Sequence, residues 1–106
     1  MKVDVLYFKG CPNHMPAVEQ VREALRTEGV EASVNEVEIT DPVMAQELSF
    51  LGSPTIRVNG LDVEPEARGV QSFGFGCRTY TDINGRRSGL PSLASIRTAA
   101  RESMQP

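Results

Sequence analysis

Cys11 and Cys77 are the only thiols in a chain of 106 residues, and the single histidine, His14, stands three positions after the first of them. Cys11 falls where an apolar run, residues 3–8, gives way to a turn and then to a helical pattern. A cysteine at the mouth of a helix feels free amides and the positive end of the helix dipole, and both favour thiolate over thiol. A thiolate is the nucleophile of disulfide exchange and of attack on peroxides, and it is also a soft-metal ligand. The alternative is a buried cysteine that fills space. Pro12 sets the backbone of the first turn at a position that needs no amide donor. His14 is near enough in sequence to donate to the sulfur or to exchange a proton with it; equally, it reads as a polar residue on an exposed first turn. Cys77 lies in Phe73-Gly74-Phe75-Gly76-Cys77-Arg78, where glycines permit motion. It reads either as a distant resolving thiol whose thiolate Arg78 favours, or as a small apolar residue opening a strand. A bridge between the two cysteines needs Cα atoms within about 4.4–6.8 Å. Phe73 and Phe75 read as anchors of this loop to the core, or as walls of a substrate pocket.

The elements that must position these residues follow from periodicity and punctuation. Residues 3–8, interrupted only by Asp4, suit a strand buried on both faces. After Gly10-Cys11-Pro12, Met15, Val18, Val21 and Leu25 recur at helical spacing, and Gly29 supplies a stop. Residues 32–39 read as a second strand, and Thr40-Asp41-Pro42 as the start of a short helix with Met44, Leu48 and Leu51 facing the core. Gly52-Ser53-Pro54 breaks that helix. Residues 55–58 and 61–63 form a hairpin about Asn59-Gly60. Residues 64–76 lack periodicity and read as a long loop, residues 77–81 as a short extra strand before the Asn84-Gly85 turn, and Pro91 opens a last helix with Leu93, Ile96 and Ala100 inward. The expectation is one α/β domain over residues 1–106 with a mixed central sheet. Its order is βαβα, a ββ hairpin, an irregular insert at 64–88 and a C-terminal helix.

Composition narrows the partners. A net charge of -3 argues against nucleic acid and against an anionic membrane surface. Arg86 and Arg87, the one basic doublet, sit beside a turn where solvated charge is common. No stretch approaches the ~20 apolar residues of a membrane span, and no secretory signal opens the chain, so the expected location is cytoplasmic. Two cysteines are too few for a stapled scaffold or a four-ligand zinc site, and no cofactor is expected. A monomer or weak dimer is expected.

Phe8-Lys9-Gly10-Cys11-Pro12-Asn13-His14 after a strand, with Gly52-Ser53-Pro54-Thr55 before another, resembles the thioredoxin superfamily. Cys11 matches the first cysteine of that family's Cys-x-x-Cys motif, and Pro54 matches its cis-proline, which faces the reactive cysteine and lines the substrate groove. More narrowly, the chain is similar to small bacterial proteins, some with selenocysteine at the reactive position, labelled thioredoxin-like or alkylmercury-lyase-like. The resemblance implies a thioredoxin-like fold, Cys11 as catalytic thiol, and Pro12, Pro54 and Thr55 as substrate-binding residues, with Thr55 offering backbone to an extended peptide. One departure matters: His14 replaces the second cysteine of the motif. The cycle then needs an external thiol reductant, a distant partner such as Cys77, or no cycle exists.

Three functions follow. The first is a thiol-dependent oxidoreductase acting on disulfides or peroxides, with Cys11 attacking, His14 assisting proton transfer and Cys77 or an external thiol resolving. The second is a soft-metal or organomercurial handler with Cys11 and Cys77 as paired thiolates, although no residue identifies itself as the proton donor that carbon–mercury cleavage requires. The third is an adaptor that uses the fold for binding alone.

Overall fold

The computed structural model describes residues 1–71, 73–74, 76–82 and 84–104. The first apolar run forms strand β1 (Lys2–Tyr7), with Val3 and Val5 turned to one face, Leu6 to the other, and all three buried. A strand buried on both faces belongs inside a sheet. Accordingly β1 pairs in parallel with β2 (Ser33–Glu38) on one side and antiparallel with β3 (Thr55–Val58) on the other. The Asn59-Gly60 turn returns the chain antiparallel as β4 (Leu61–Asp62), giving the order β2-β1-β3-β4. Asn59 (φ 50°) and Gly60 (φ 85°) both take the positive φ that a twisted two-residue hairpin demands.

Helices cover both faces of this mixed α/β sheet. On one, α1 (His14–Glu28) and α3 (Leu93–Ser103) pack Ala17, Val18, Val21, Ala24, Leu25, Ile96, Ala99 and Ala100 against Val3, Val5, Ile56 and Val58. On the other, Leu6 and Ile39 meet Ala45 of the short helix α2 (Pro42–Glu47) and Phe50 beyond it. Phe50 is completely buried, worth about 2–3 kcal/mol, and it pins the segment that leads into β3. The two helices on the first face are also clamped by charge. Glu28 of α1 accepts from Arg97 (2.9 Å) and from Arg101 (3.0 and 3.1 Å). Hydrogen bonds from Arg101, then Arg97, hold its carboxyl down to about 2.

The structure corrects several expectations. Met15 is more than half exposed: it lies in the first turn, on the flank of a buried stripe centred on Val21 rather than within it. In α2 the helix stops at Glu47, so Leu48 and Leu51 fall outside it; Leu48 is exposed, and Ala45 with Phe50 fills the core place expected of them. The extra strand is shorter than residues 77–81. It is β5 (Tyr80–Thr81), paired antiparallel with β6 (Arg87–Ser88) across the Asn84-Gly85 turn, so the basic doublet borders a strand. The stretch 64–76 contains a single 3₁₀ turn, Pro65–Ala67. Among the described residues no helix is long and apolar enough to cross a membrane.

Candidate functional site

Cys11 stands in the turn that joins β1 to α1. Its N–H donates to the Phe8 carbonyl at 3.2 Å, and its own carbonyl accepts from His14 N–H at 3.2 Å. The helix thus begins three residues later than Cys11, with Asn13 as its N-cap. That cap makes no side-chain hydrogen bond, and the first turn itself carries no acidic residue. Cys11 is 9% exposed as a residue, at the edge of the buried core.

His14 is turned to a different neighbour. Its ring stacks on Tyr7, centroids 3.5 Å apart and planes 6° from parallel, and Nε2 lies 2.7 Å from Oε1 of Glu36 on β2. A carboxylate only accepts, so Glu36 fixes Nε2 as the protonated nitrogen and leaves Nδ1 as the acceptor of the neutral ring. No hydrogen bond joins the ring to Cys11 Sγ among the described residues. Burial, with the carboxylates of Glu38 and Glu36 added, pushes the Tyr7 phenol up, so the ring against His14 stays neutral.

Ser53 is bonded both to Phe8, three residues before Cys11, and to the segment that carries Cys77. The Ser53–Pro54 peptide bond is cis, and Ser53, Pro54 and Thr55 are all buried at the entrance to β3. Ser53 Oγ accepts from Phe8 N–H at 3.3 Å, on the Cys11 side. On its other side, Ser53 N–H donates to the Gly76 carbonyl (2.8 Å) and the Ser53 carbonyl accepts from Arg78 N–H (3.0 Å), a parallel bridge that sets Cys77 opposite Ser53. Both cysteines are free thiols, Cys11 buried and Cys77 exposed. Thr55 faces inward: its hydroxyl donates to the Gly52 carbonyl at 2.6 Å and accepts from Arg78 at 3.3 Å. The backbone bonded by the Cys77 segment is that of Ser53, one residue before Pro54.

A buried polar network holds the Cys77 segment there. The Arg78 guanidinium makes a two-pronged contact with Asp62 of β4 (2.6 and 2.9 Å), with side chains 8% and 5% exposed, and lies 4.4 Å from the centre of the Tyr80 ring. Burial works most strongly against the Arg78 charge, but the hydrogen-bonded Asp62 carboxylate, together with Tyr80 and Glu64, outweighs it and holds the guanidinium above its ordinary value. Arg78 is thus committed to Asp62 rather than to a thiolate at Cys77. The Tyr80 hydroxyl donates to the Pro54 carbonyl, and burial pushes its phenol up, which keeps the donor protonated. Gly74 N–H donates to the Phe50 carbonyl, and Gln46 reaches the Phe73 carbonyl, so the segment runs alongside residues 50–54. Phe73 is half-buried; Phe75 lies outside the described residues.

Gly52 shows how closely the two segments approach. Its φ is +119°, and a Cβ there would stand 2.9 Å from Arg78 Cβ and 3.1 Å from the Gly76 carbonyl oxygen. Gly52→Ala is expected to destabilise the protein by about 2 kcal/mol or more, from backbone strain and collision together, as read by urea unfolding. A loss under about 0.5 kcal/mol would mean that the segment is not packed against Gly52 in solution.

Of the residues expected at the site, the structure sets Cys77 opposite Ser53, next to Pro54 and Thr55, links the Cys11 turn to Ser53 through Phe8, leaves Pro12 exposed after Cys11, and ties His14 to Glu36. Ser53 and Asp62 escaped the sequence. A serine before a proline and an acidic residue in a short strand carry no signal there, because their partners are remote in the chain. Among the described residues, no group of three His, Cys, Asp or Glu side chains is placed to hold a metal ion.

These features define a mixed α/β protein with one cysteine in the turn between its central strand and first helix, and a second in a segment bridged through backbone to Ser53. Residues 13–87 match the model of a family described as a domain of unknown function (DUF2703), and the chain belongs to that family. Cys77 lies inside the matched stretch and Cys11 two residues before it. No curated protein and no solved structure matches the chain.

Proposed function

We propose that this chain is a thioredoxin-like thiol oxidoreductase in which Cys11 is the nucleophile and Cys77 the resolving thiol. The observation that carries the reading is the position of Ser53, hydrogen-bonded to the Cys11 turn through Phe8 and to both residues flanking Cys77. The order β2-β1-β3-β4 with helices on both faces, and Pro54 directly after the serine that bonds Phe8, support the thioredoxin-like assignment. In the first step the Cys11 thiolate attacks one sulfur of a substrate disulfide, forming a mixed disulfide and releasing the other half as a thiolate. In the second, the Cys77 thiolate attacks the Cys11 sulfur, forming the intramolecular disulfide and releasing the remaining half. The substrate gains two electrons and the protein loses two, which an external thiol reductant restores. With a peroxide, the Cys11 thiolate takes the terminal oxygen as the O–O bond breaks, releasing the other half as an alcohol or water once protonated, and Cys77 then condenses with the sulfenic acid as water leaves. In this reading His14 carries the accompanying proton transfers through Nδ1 and must approach the sulfur to do so, since its ring is held on Glu36 and Tyr7.

The test is one equivalent of diamide followed by alkylation and peptide mass spectrometry. The expected product is a peptide pair linked through Cys11 and Cys77 within one chain, with both thiols alkylated when the oxidant is omitted. If both cysteines still alkylate after diamide, the two-thiol cycle is wrong. Thiols that resist bridging yet take up one soft metal ion per chain would replace it with the paired-thiolate, soft-metal reading.

A further inference from the structure

We infer that residues 76–78 close the Ser53 backbone edge to extended peptides, so that Cys11 serves low-molecular-weight disulfides rather than disulfides carried on polypeptides; this rests on the oxidoreductase reading. An extended peptide docks by adding its main-chain hydrogen bonds to an open strand-like edge. Beside Cys11 that edge is Ser53, and its N–H and C=O are already taken by the Gly76 carbonyl and the Arg78 N–H. The occupant is firmly held. Gly74 bonds Phe50, Tyr80 bonds the Pro54 carbonyl, and Arg78 is forked onto the buried Asp62 carboxylate. A competing peptide must break the strand contact and strip a buried arginine of its partner. A small disulfide needs no edge. It has only to reach Cys11, a residue 9% exposed, which a slender reactant does more readily than a folded chain.

Asp62 and Arg78 touch no reacting atom, so they act here as positioning residues that set specificity through the segment they hold. Their role is separable from general stability because it predicts a change in the ratio of two substrates.

The experiment compares turnover of 2-hydroxyethyl disulfide and of insulin, with a small dithiol as reductant and its uncatalysed rate subtracted. Wild-type protein is expected to show kcat/KM at least about tenfold higher for the small disulfide. Asp62→Asn is expected to raise the ratio of insulin to small-disulfide kcat/KM about tenfold, whatever it does to the resolving step that both substrates share. Tyr80→Phe, a milder change that loses only the bond to Pro54, moves the ratio in the same direction and carries the test if Asp62→Asn does not fold. Amide exchange at Arg78 reports release of the segment, and exchange at Val5 and Ile56 reports that the sheet persists. Insulin turned over as fast as the small disulfide by wild type overturns the inference alone. So does a released segment with no gain toward insulin. Turnover of neither substrate overturns the oxidoreductase reading and this inference with it.

Discussion

Replacing Cys11 by Ser is expected to reduce turnover of a small disulfide by about 10³-fold or more, to the uncatalysed background, because covalent nucleophiles act all-or-none. A serine hydroxyl fills nearly the same volume, and the backbone contacts of this turn, Cys11 N–H to Phe8 and Cys11 carbonyl to His14, are independent of the side chain. The fold should therefore survive, with a urea midpoint close to that of wild type. Loss of chemistry without loss of structure separates the oxidoreductase reading from the adaptor reading, in which the substitution leaves the physiological role intact.

Cys77→Ser is the partner measurement. Its side chain is exposed, so little packing is lost. If Cys77 resolves, the variant should complete the first exchange and then stall as a mixed disulfide on Cys11, seen as a mass increase of one substrate half. Full multiple-turnover activity in Cys77→Ser would assign resolution to the external thiol and leave Cys77 as a residue of the strand contact alone.

The parts of this arrangement that were legible in the sequence are those written locally. β1, α1 and α3 announce themselves by an apolar run, a helical period and a start or stop residue within a few positions of each end. The Asn59-Gly60 turn fixes its own hairpin. What the sequence conceals is contact between segments distant in the chain. Ser53 bonds Gly76 and Arg78 through backbone groups, which every residue has, so no side-chain type marks the pairing. Asp62 alternates with Leu61 and Val63 as a strand residue should, and reads as the solvent-facing member; only the arrival of Arg78 from the insert makes burial tolerable. β6 was missed because Arg87 and Ser88 are exposed and leave no hydrophobic signature. Met15 and Leu48 misled for a related reason. At the ends of helices the period still matches, while the surface it should bury has run out.

The largest effect on stability is expected at Asp62. Asp62→Ala leaves the Arg78 guanidinium, whose side chain is 8% exposed, without its counterion, and removes the acceptor of Glu64 N–H as well. Stranding one member of a buried pair costs about 3–5 kcal/mol, against a total of about 5–15 kcal/mol for a domain of this size. A fall in Tm of at least about 12 °C should follow. The cost arises from the charge left behind rather than from the value of the pair, so removing both members should be gentler. Asp62→Leu with Arg78→Met is expected to recover at least about 2 kcal/mol relative to Asp62→Ala, measured by urea unfolding. A double variant no more stable than Asp62→Ala would show that the ion pair itself, and not desolvation of its survivor, supports this corner of the fold. The recovered protein would keep Gly76 and Arg78 on Ser53 by backbone bonds alone. With the fork gone, Cys77 is held less firmly, and bridging to Cys11 should slow even as stability returns. Stability and reactivity would then part company at a pair of residues that touches neither thiol.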